Sequence, residues 1–493
     1  MRSHRIAIAL VVLAGLIVVA ALVLRQVRDD GSEPTPAIMS PGAGLPAEDP
    51  LAWTPERSDD YAERATQGWA HALYTKTADG LATGVARTRG WRRAIEEATA
   101  GTDVDPDTLS AIVLLESAGR PEAQASDDLR GAVGLTQIVA ETGQSLLGMN
   151  VDVEAAERVS KQMARAAKKG DEARVEELRA ERRRVDERFD PRKSLAATVR
   201  YLQFAKEKLG RDDLALASYH MGVGNLQTAL EKYGEGTVPY VRLYFDSTPR
   251  HRADAWRFLT GLGDDSSTYL WRVRAAEEIL RLAAEDPEGL AQRTALMNER
   301  NSAEVALHPP AETTHYADGD ALQDGYDEGD IAALPPAYLL RHGLRLDRQM
   351  GELAGKVDEE PTLYRGLRRE ALAMLAYIGT GVRAISGEER PLRVTSTVRD
   401  ERYQDALLRV EEQATDDYSL HTTGYAFDIA RDYASPKQAQ AMQFLLDRLT
   451  ALNLIAWVRE PGAIHVTVSS DAERLMQPMG VLPKDAMHVG AAG

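Results

Sequence analysis

The chain has 493 residues, enough for two or three domains, and its 44% hydrophobic and 27% charged content is that of globular protein rather than disorder. A formal net charge of −17 without any long basic stripe argues against a nucleic-acid partner. The lack of cysteine excludes a disulfide framework, a thiol nucleophile or a thiolate metal site, so any metal must be held by His, Asp or Glu.

At the N-terminus, Ile6 to Leu24 form an uninterrupted apolar run, long enough at about 1.5 Å per residue to span most of a ~30 Å hydrocarbon core. Arg2 and Arg5 precede it, which keeps the tip in the cytoplasm and predicts a single-pass inner-membrane anchor over 1–24 with everything downstream periplasmic. The competing reading is a cleaved signal peptide, but Ala20-Ala21 runs into Leu22-Val23-Leu24 and Arg25 without a clean cleavage signature. Residues 25–55, rich in Pro, Gly, Asp and Ala, read as a flexible linker. A helical domain is expected over 56–250, with a highly charged helical insertion at 150–187. Residues 251–335 read as a helical, then acidic and turn-rich, connection. A mixed helix-and-strand domain is expected over 336–475 and a poorly ordered tail over 476–493.

Within the helical domain, Asp105 is a good N-cap and Pro106 suits a first helical position, so a helix opens there and ends near Gly119 and Pro121. Leu109, Ile112, Val113 and Glu116 follow the i, i+3, i+4, i+7 spacing, which sets a carboxyl on the stripe expected to face the core. Desolvation there raises its pKa, as a general acid near neutral pH requires, unless a nearby Arg pairs with it as structure. Downstream lie Gly134-Leu135-Thr136-Gln137-Ile138, then Phe189-Asp190-Pro191 opening a helix, then Ser218-Tyr219-His220 before a glycine turn.

With Glu116-Ser117, these blocks resemble, in order, those of the soluble lytic transglycosylase family, whose helical fold is related to goose-type lysozyme. Thr136 replaces the family's Met, and Ser218 and His220 depart from its Ala-Tyr-Asn block; a fourth element corresponds to Tyr240-Val241. The resemblance implies a peptidoglycan substrate and no cofactor. Glu116 would protonate the glycosidic oxygen and then act as base on the sugar's own 6-hydroxyl, leaving 1,6-anhydro-N-acetylmuramic acid. Tyr219 would hydrogen-bond the reacting centre, and Ser117, Gln137, His220 and Tyr240 would bind substrate. A water-using muramidase is the alternative, with Asp127 or Asp128 as the second carboxyl.

In the last domain, strand-like alternation from Gly424 puts Tyr425, Phe427 and Ile429 on one face and Ala426 and Asp428 on the other. A second alternating run turns Ile464, Val466 and Val468 to the core and His465 with Thr467 to the opposite face. Two such strands could bring His421, Asp428 and His465 together, a donor set that suits catalytic zinc. The pattern Ser-x-His-x-x-Gly-x-Ala-x-Asp at 419–428, with Ser396, Arg399 and Gln404 upstream, resembles the D-alanyl-D-alanine carboxypeptidase and dipeptidase family. That resemblance implies zinc on the three residues and Arg399 on the substrate. The family's general-base Glu precedes the last His by three residues; here that position is Gly462, and Glu460 is the candidate replacement.

The expected architecture is thus a mainly α lysozyme-like domain followed by a smaller α+β zinc-peptidase-like domain, behind an N-terminal transmembrane helix. Its partners are peptidoglycan and, through that helix, the inner membrane, with protein partners open. The rival from another class is a wall-binding scaffold with an inactive second domain.

Overall fold

The computed structural model describes residues 48–299, 302–409 and 418–484. The expected anchor lies outside them, and among the described residues no helix is long and apolar enough to cross a membrane.

The N-terminal part is helical: α1 (Ser58–Gly68), α2 (His71–Lys76), α3 (Leu81–Gly90), α4 (Arg92–Thr99) and α5 (Pro106–Ser117) lead to a short hairpin of β1 (Ala132–Val133) and β2 (Ile138–Val139). Then follow α6 (Ala140–Ser145), α7 (Val153–Lys168), α8 (Glu172–Val185), α9 (Pro191–Leu209), α10 (Asp212–Met221), α11 (Val223–Tyr233), α12 (Tyr240–Asp246) and α13 (Ala253–Gly261). Helices α14 (Tyr269–Glu285), α15 (Pro287–Met297), α16 (Ser302–Leu307) and α17 (Gly319–Asp327) cross to the C-terminal part. That part contains β3 (Ile331–Ala333), α18 (Pro336–Arg341), β4 (Leu344–Leu346), β5 (Gly366–Arg368), α19 (Arg369–Ser386), β6 (Leu392–Ser396) and α20 (Glu401–Leu408). It ends with β7 (Ala426–Ala430), α21 (Pro436–Ala451), β8 (Ile455–Arg459) and β9 (Ala463–Val468).

Helix α5 begins as its sequence predicts, with the Asp105 carboxylate accepting from the Asp107 amide at 2.9 Å. It ends one residue earlier than expected, at Ala118 in the left-handed conformation (φ 52°). The single-stripe expectation is replaced by burial all round, the signature of a central helix. Leu109 and Val113 pack with Ile95, Leu135, Leu195 and Val199. Ala111, Ile112 and Leu114 face the main core, where α14 lies along α5.

The charged stretch 150–187 forms the α7–α8 hairpin, with a small core of Val159, Ala166, Val175 and Leu178. Its exit anchors the β1–β2 loop. Arg188, fully buried and paired with Asp186, donates to the carbonyls of Leu129, Gly131 and Ile138. Gly134 (φ 84°) passes so close beneath the Arg188 carbonyl that no Cβ fits.

The C-terminal sheet has the order β4-β6-β7-β9-β8, parallel only between β4 and β6, and α19 and α21 pack together beside it. Three expectations about connecting segments are corrected. The end of the 25–55 linker is docked: Leu51 is buried and Asp49 accepts from the Tyr377 hydroxyl at 3.0 Å. Residues 251–335 are not a spacer, because α14 fills the core against α5 and β3 pairs with β5. The start of the tail is ordered, with Met479 and Val481 buried and the Met479 carbonyl accepting from Tyr338 at 2.8 Å.

One apolar core therefore runs through both parts. At their junction α1 meets α21. Arg448 donates to the carbonyls of Phe245 and Leu51, and Arg64 pairs with Asp471 at 2.9 Å. A Cβ at Gly68 would run into the Thr450 carbonyl, a backbone atom that cannot step aside. Gly68→Ala is therefore expected to cost about 1–3 kcal/mol, read as a lower thermal midpoint. Gly90→Ala, whose added Cβ meets nothing within 4 Å, is the control expected to leave that midpoint in place.

Candidate functional sites

Glu116 sits at the last turn of α5, half-buried, with its Oε1 accepting from the Tyr269 hydroxyl at 2.7 Å. Burial pushes its carboxyl up to about 7, and the Tyr269 hydrogen bond and the Arg272 charge pull it only partly back. Tyr269 and Arg272 stand one turn apart on α14. The helix opens after the turn 265–268, which Asp264 starts by accepting from the Ser266 amide at 2.9 Å.

The expected site residues divide around this pair. Tyr219 does not bond Glu116. Its hydroxyl donates to the Thr136 carbonyl at 2.7 Å, and its ring stacks on Tyr269 at 6.0 Å, so the tyrosine that bonds the carboxyl is Tyr269. His220 is exposed, stacks on the same Tyr269 ring at 5.4 Å and bonds Ser266 through Nδ1 at 2.9 Å. Gln137 holds a left-handed backbone (φ 51°), and its side-chain amide nitrogen donates to the carbonyls of Gly134 and Ala123.

Two assignments are corrected. Ser117 is 2% exposed and its hydroxyl donates to the Leu135 carbonyl at 2.7 Å, which ties α5 to the loop rather than to a ligand. Tyr240 is wholly buried and donates to the Ser267 carbonyl at 2.8 Å, so it braces the turn that launches α14. Thr136, the departure from the family block, is explained by a buried hydroxyl network: it contacts Ser194 at 2.6 Å and Thr198 at 2.9 Å. Asp127 and Asp128 are exposed on a loop, with Asp128 accepting from the Arg130 amide at 2.9 Å. A cavity of about 770 Å³ lies at the other end of α5 among Arg89, Asp105 and Glu278.

The second cluster is set by sheet register. Ser396, Asp428, His465 and Val458 lie opposite one another in a row across β6, β7, β9 and β8. His421 joins from the turn 420–423, which sits just before β7. His465 Nδ1 is 2.8 Å from Asp428 Oδ1 and 3.1 Å from His421 Nε2, and His421 Nε2 is 3.3 Å from Asp428 Oδ2. A tetrahedral ion with bonds of about 2.0–2.1 Å sets its ligand atoms about 3.3–3.4 Å apart, so the three donors fit zinc. Burial opposes the Asp428 charge, but His421 and His465 hold its carboxyl well below the usual range. Arg399 reaches Asp428 at 3.6 Å and is itself steadied by Ser396 and by Gln404 at 2.9 Å.

Glu460 lies at the tip of the β8–β9 hairpin, where its amide donates to the Ala463 carbonyl at 3.0 Å. By strand parity it shares the face of Val458 and His465. Partial burial and the Asp428 charge push its carboxyl up, so it faces the cluster electrostatically. At Gly462 an added Cβ meets nothing within 4 Å, so no steric demand explains the glycine.

Sequence reasoning missed Tyr269, Arg272 and a further group at the second cluster, Glu304 on α16, whose Oε1 is 3.2 Å from His465 Nε2. The Asp264 cap and the i, i+3 pairing of Tyr269 with Arg272 were the available local signals for the first two.

The raised Glu116 carboxyl has a stability consequence. A carboxyl whose folded pKa lies above its unfolded value stabilises the fold below about pH 4.5, and this contribution is lost as pH rises through about 7. Glu116→Gln removes that cost and is expected to raise stability at pH 8 by an amount on the order of 1–3 kcal/mol, read as a higher thermal midpoint, and to leave the midpoint unchanged at pH 4. An equal change at both pH values would mean that Glu116 is not desolvated.

No curated protein matches the chain. Residues 93–237, which carry Glu116, Gln137, Tyr219 and His220, match the Transglycosylase SLT domain, a match that indicates peptidoglycan lysis of the lytic transglycosylase type.

Proposed function

We propose that the chain is a lytic transglycosylase that cleaves the glycosidic bond between N-acetylmuramic acid and N-acetylglucosamine through Glu116. The observation that carries this is a half-buried carboxyl lifted to about 7 under Tyr269, inside the matched domain. Protonated Glu116 donates to the leaving oxygen as the C1–O bond breaks. The carboxylate then takes the proton of the muramic acid 6-hydroxyl as O6 bonds to C1, closing a 1,6-anhydro ring without consuming water. Exposed Asp127 and Asp128 favour this one-carboxyl route over a muramidase.

Tyr269 tunes the acid. Its hydrogen bond favours the ionised form, so Tyr269→Phe raises the Glu116 pKa further and moves the alkaline limb of the activity profile to higher pH. Glu116→Gln keeps the shape without the transferable proton and is expected to lower glycan cleavage by about 10²–10⁴-fold. Mass spectrometry of digested sacculi checks the product. Anhydro ends are expected, and reducing ends alone would make the domain a hydrolase.

For the second cluster the reading is a zinc-dependent stem-peptide carboxypeptidase. His421, Asp428 and His465 would hold the ion, which when bound supplies an activated water. Arg399 would meet the peptide carboxylate, and Glu460, with its raised pKa, would take the water's proton. The expected results are one zinc per chain, metal lost in His465→Ala, and peptide cleavage lost in Glu460→Ala with zinc retained. Zinc without cleavage of any stem peptide would favour the scaffold reading. On the sequence, Ile6–Leu24 would tether both domains to the periplasmic face of the inner membrane, and recovery of the mature protein in the membrane pellet after a salt wash tests this.

A further inference from the structure

We propose that Glu304 is a positioning residue for His465 as a metal ligand, facing from outside the centre the ring nitrogen that keeps its proton when the other binds the ion. This rests on the zinc reading of the cluster. A neutral imidazole has one N–H and one lone pair, and only the lone pair can bind a metal. The nitrogen that faces Asp428 and His421 is Nδ1, so the proton must reside on Nε2. Nε2 faces the Glu304 carboxylate at 3.2 Å. In the metal-free protein the ring lies between two carboxylates, Asp428 at Nδ1 and Glu304 at Nε2; once an ion takes the Nδ1 lone pair the proton stays on Nε2, and Glu304, which only accepts, is the carboxylate beside it. The Thr467 hydroxyl also bonds Nε2, at 3.4 Å, but it is uncharged and adds less than a carboxylate does to a ring whose other nitrogen binds a cation. His421 is fixed in the mirrored sense, with Nδ1 at 2.8 Å from the Thr397 carbonyl and Nε2 toward the centre.

Two further observations separate Glu304 from a chance surface pairing. It is 4% exposed, and burying a carboxylate costs several kcal/mol unless a partner offsets it. Its helix is also held in place. Val305 packs against Leu420 and Ala426, on either side of His421, and His308 bonds the Val468 carbonyl at 2.6 Å and stacks on Tyr425 at 3.8 Å. The helix α16 thus straps the two segments that carry the ligands. The metal centre is completed by the stretch that leaves the transglycosylase part, not by the C-terminal domain alone.

The test uses the full chain and zinc itself, with affinity measured by competition against a chromophoric chelator at pH 7. Wild type binds; Glu304→Ala is expected to bind about 10–100-fold more weakly, and Glu304→Gln, whose amide oxygen still accepts from Nε2–H, to recover most of that loss. Nitrogen NMR of the His465 ring in the zinc-loaded protein supplies the signature that mere packing would not move: Nδ1 on the metal with a protected Nε2–H in wild type and the Gln variant, and an Nε2–H that exchanges faster in the Ala variant. Unchanged affinity in Glu304→Ala, or equal losses in both variants, would overturn the positioning role while leaving the zinc reading intact. Failure of wild type to bind zinc would instead overturn the zinc reading, and this role with it.

Discussion

The first site depends on one constraint: a carboxyl at the end of α5 must be kept out of water without being given a cation at contact distance. The packing of α14 along α5 does this. It closes over Glu116 with the Tyr269 hydroxyl, and the nearby Arg272 is drawn off by Asp265 at 2.6 Å. The rest of the site supports that lid. Tyr219 and His220 stack on the Tyr269 ring, and Tyr240 braces the turn from which α14 starts. The residues of the glycine-punctuated blocks thus act largely through Tyr269, on a helix outside the matched domain.

The same chain segment organises the second centre. After α14, helices α15 and α16 run on until Glu304 and His308 reach the sheet. Because Arg448 and Gly68 also lock α1 and α21 together, the two centres are held by one continuous core. One end of this run meets the Glu116 carboxyl and the other meets the His465 imidazole.

Local signals in the sequence were legible because their causes are local. Asp105 and Pro106 start α5 through groups two residues apart, and strand alternation puts Asp428 and His465 on one sheet face wherever the strands end up. Roles set by distant packing were not legible. Tyr269 meets Glu116 across 153 residues, and nothing in the α5 periodicity names its partner. Tyr219 was placed near the centre by its block, yet which tyrosine bonds the carboxyl depends on how α10 and α14 pack. Composition misled over 301–335, where acidic, turn-rich sequence reads as linker although Val305, Tyr316, Leu322 and Ile331 are all buried. Few apolar residues suffice when each is placed against an existing core.

The two centres treat the same chemical group in opposite ways, and the difference is one of neighbours rather than of burial. Both Glu116 and Asp428 are taken from water, which disfavours the charge in each. At Glu116 the compensation is one phenolic hydrogen bond and a guanidinium already engaged elsewhere, so burial prevails and the group holds its proton near neutrality. At Asp428 two imidazoles lie within 3.3 Å and Arg399 within 3.6 Å, so attraction prevails and the group stays ionised. On the proposed functions these are the two environments needed: a carboxyl that gives up a proton holds it near neutrality, and one that offers lone pairs to a cation stays ionised. Exchanging them would then disable both, since a neutral Asp428 would be a poor ligand and a paired, ionised Glu116 would have no proton to give.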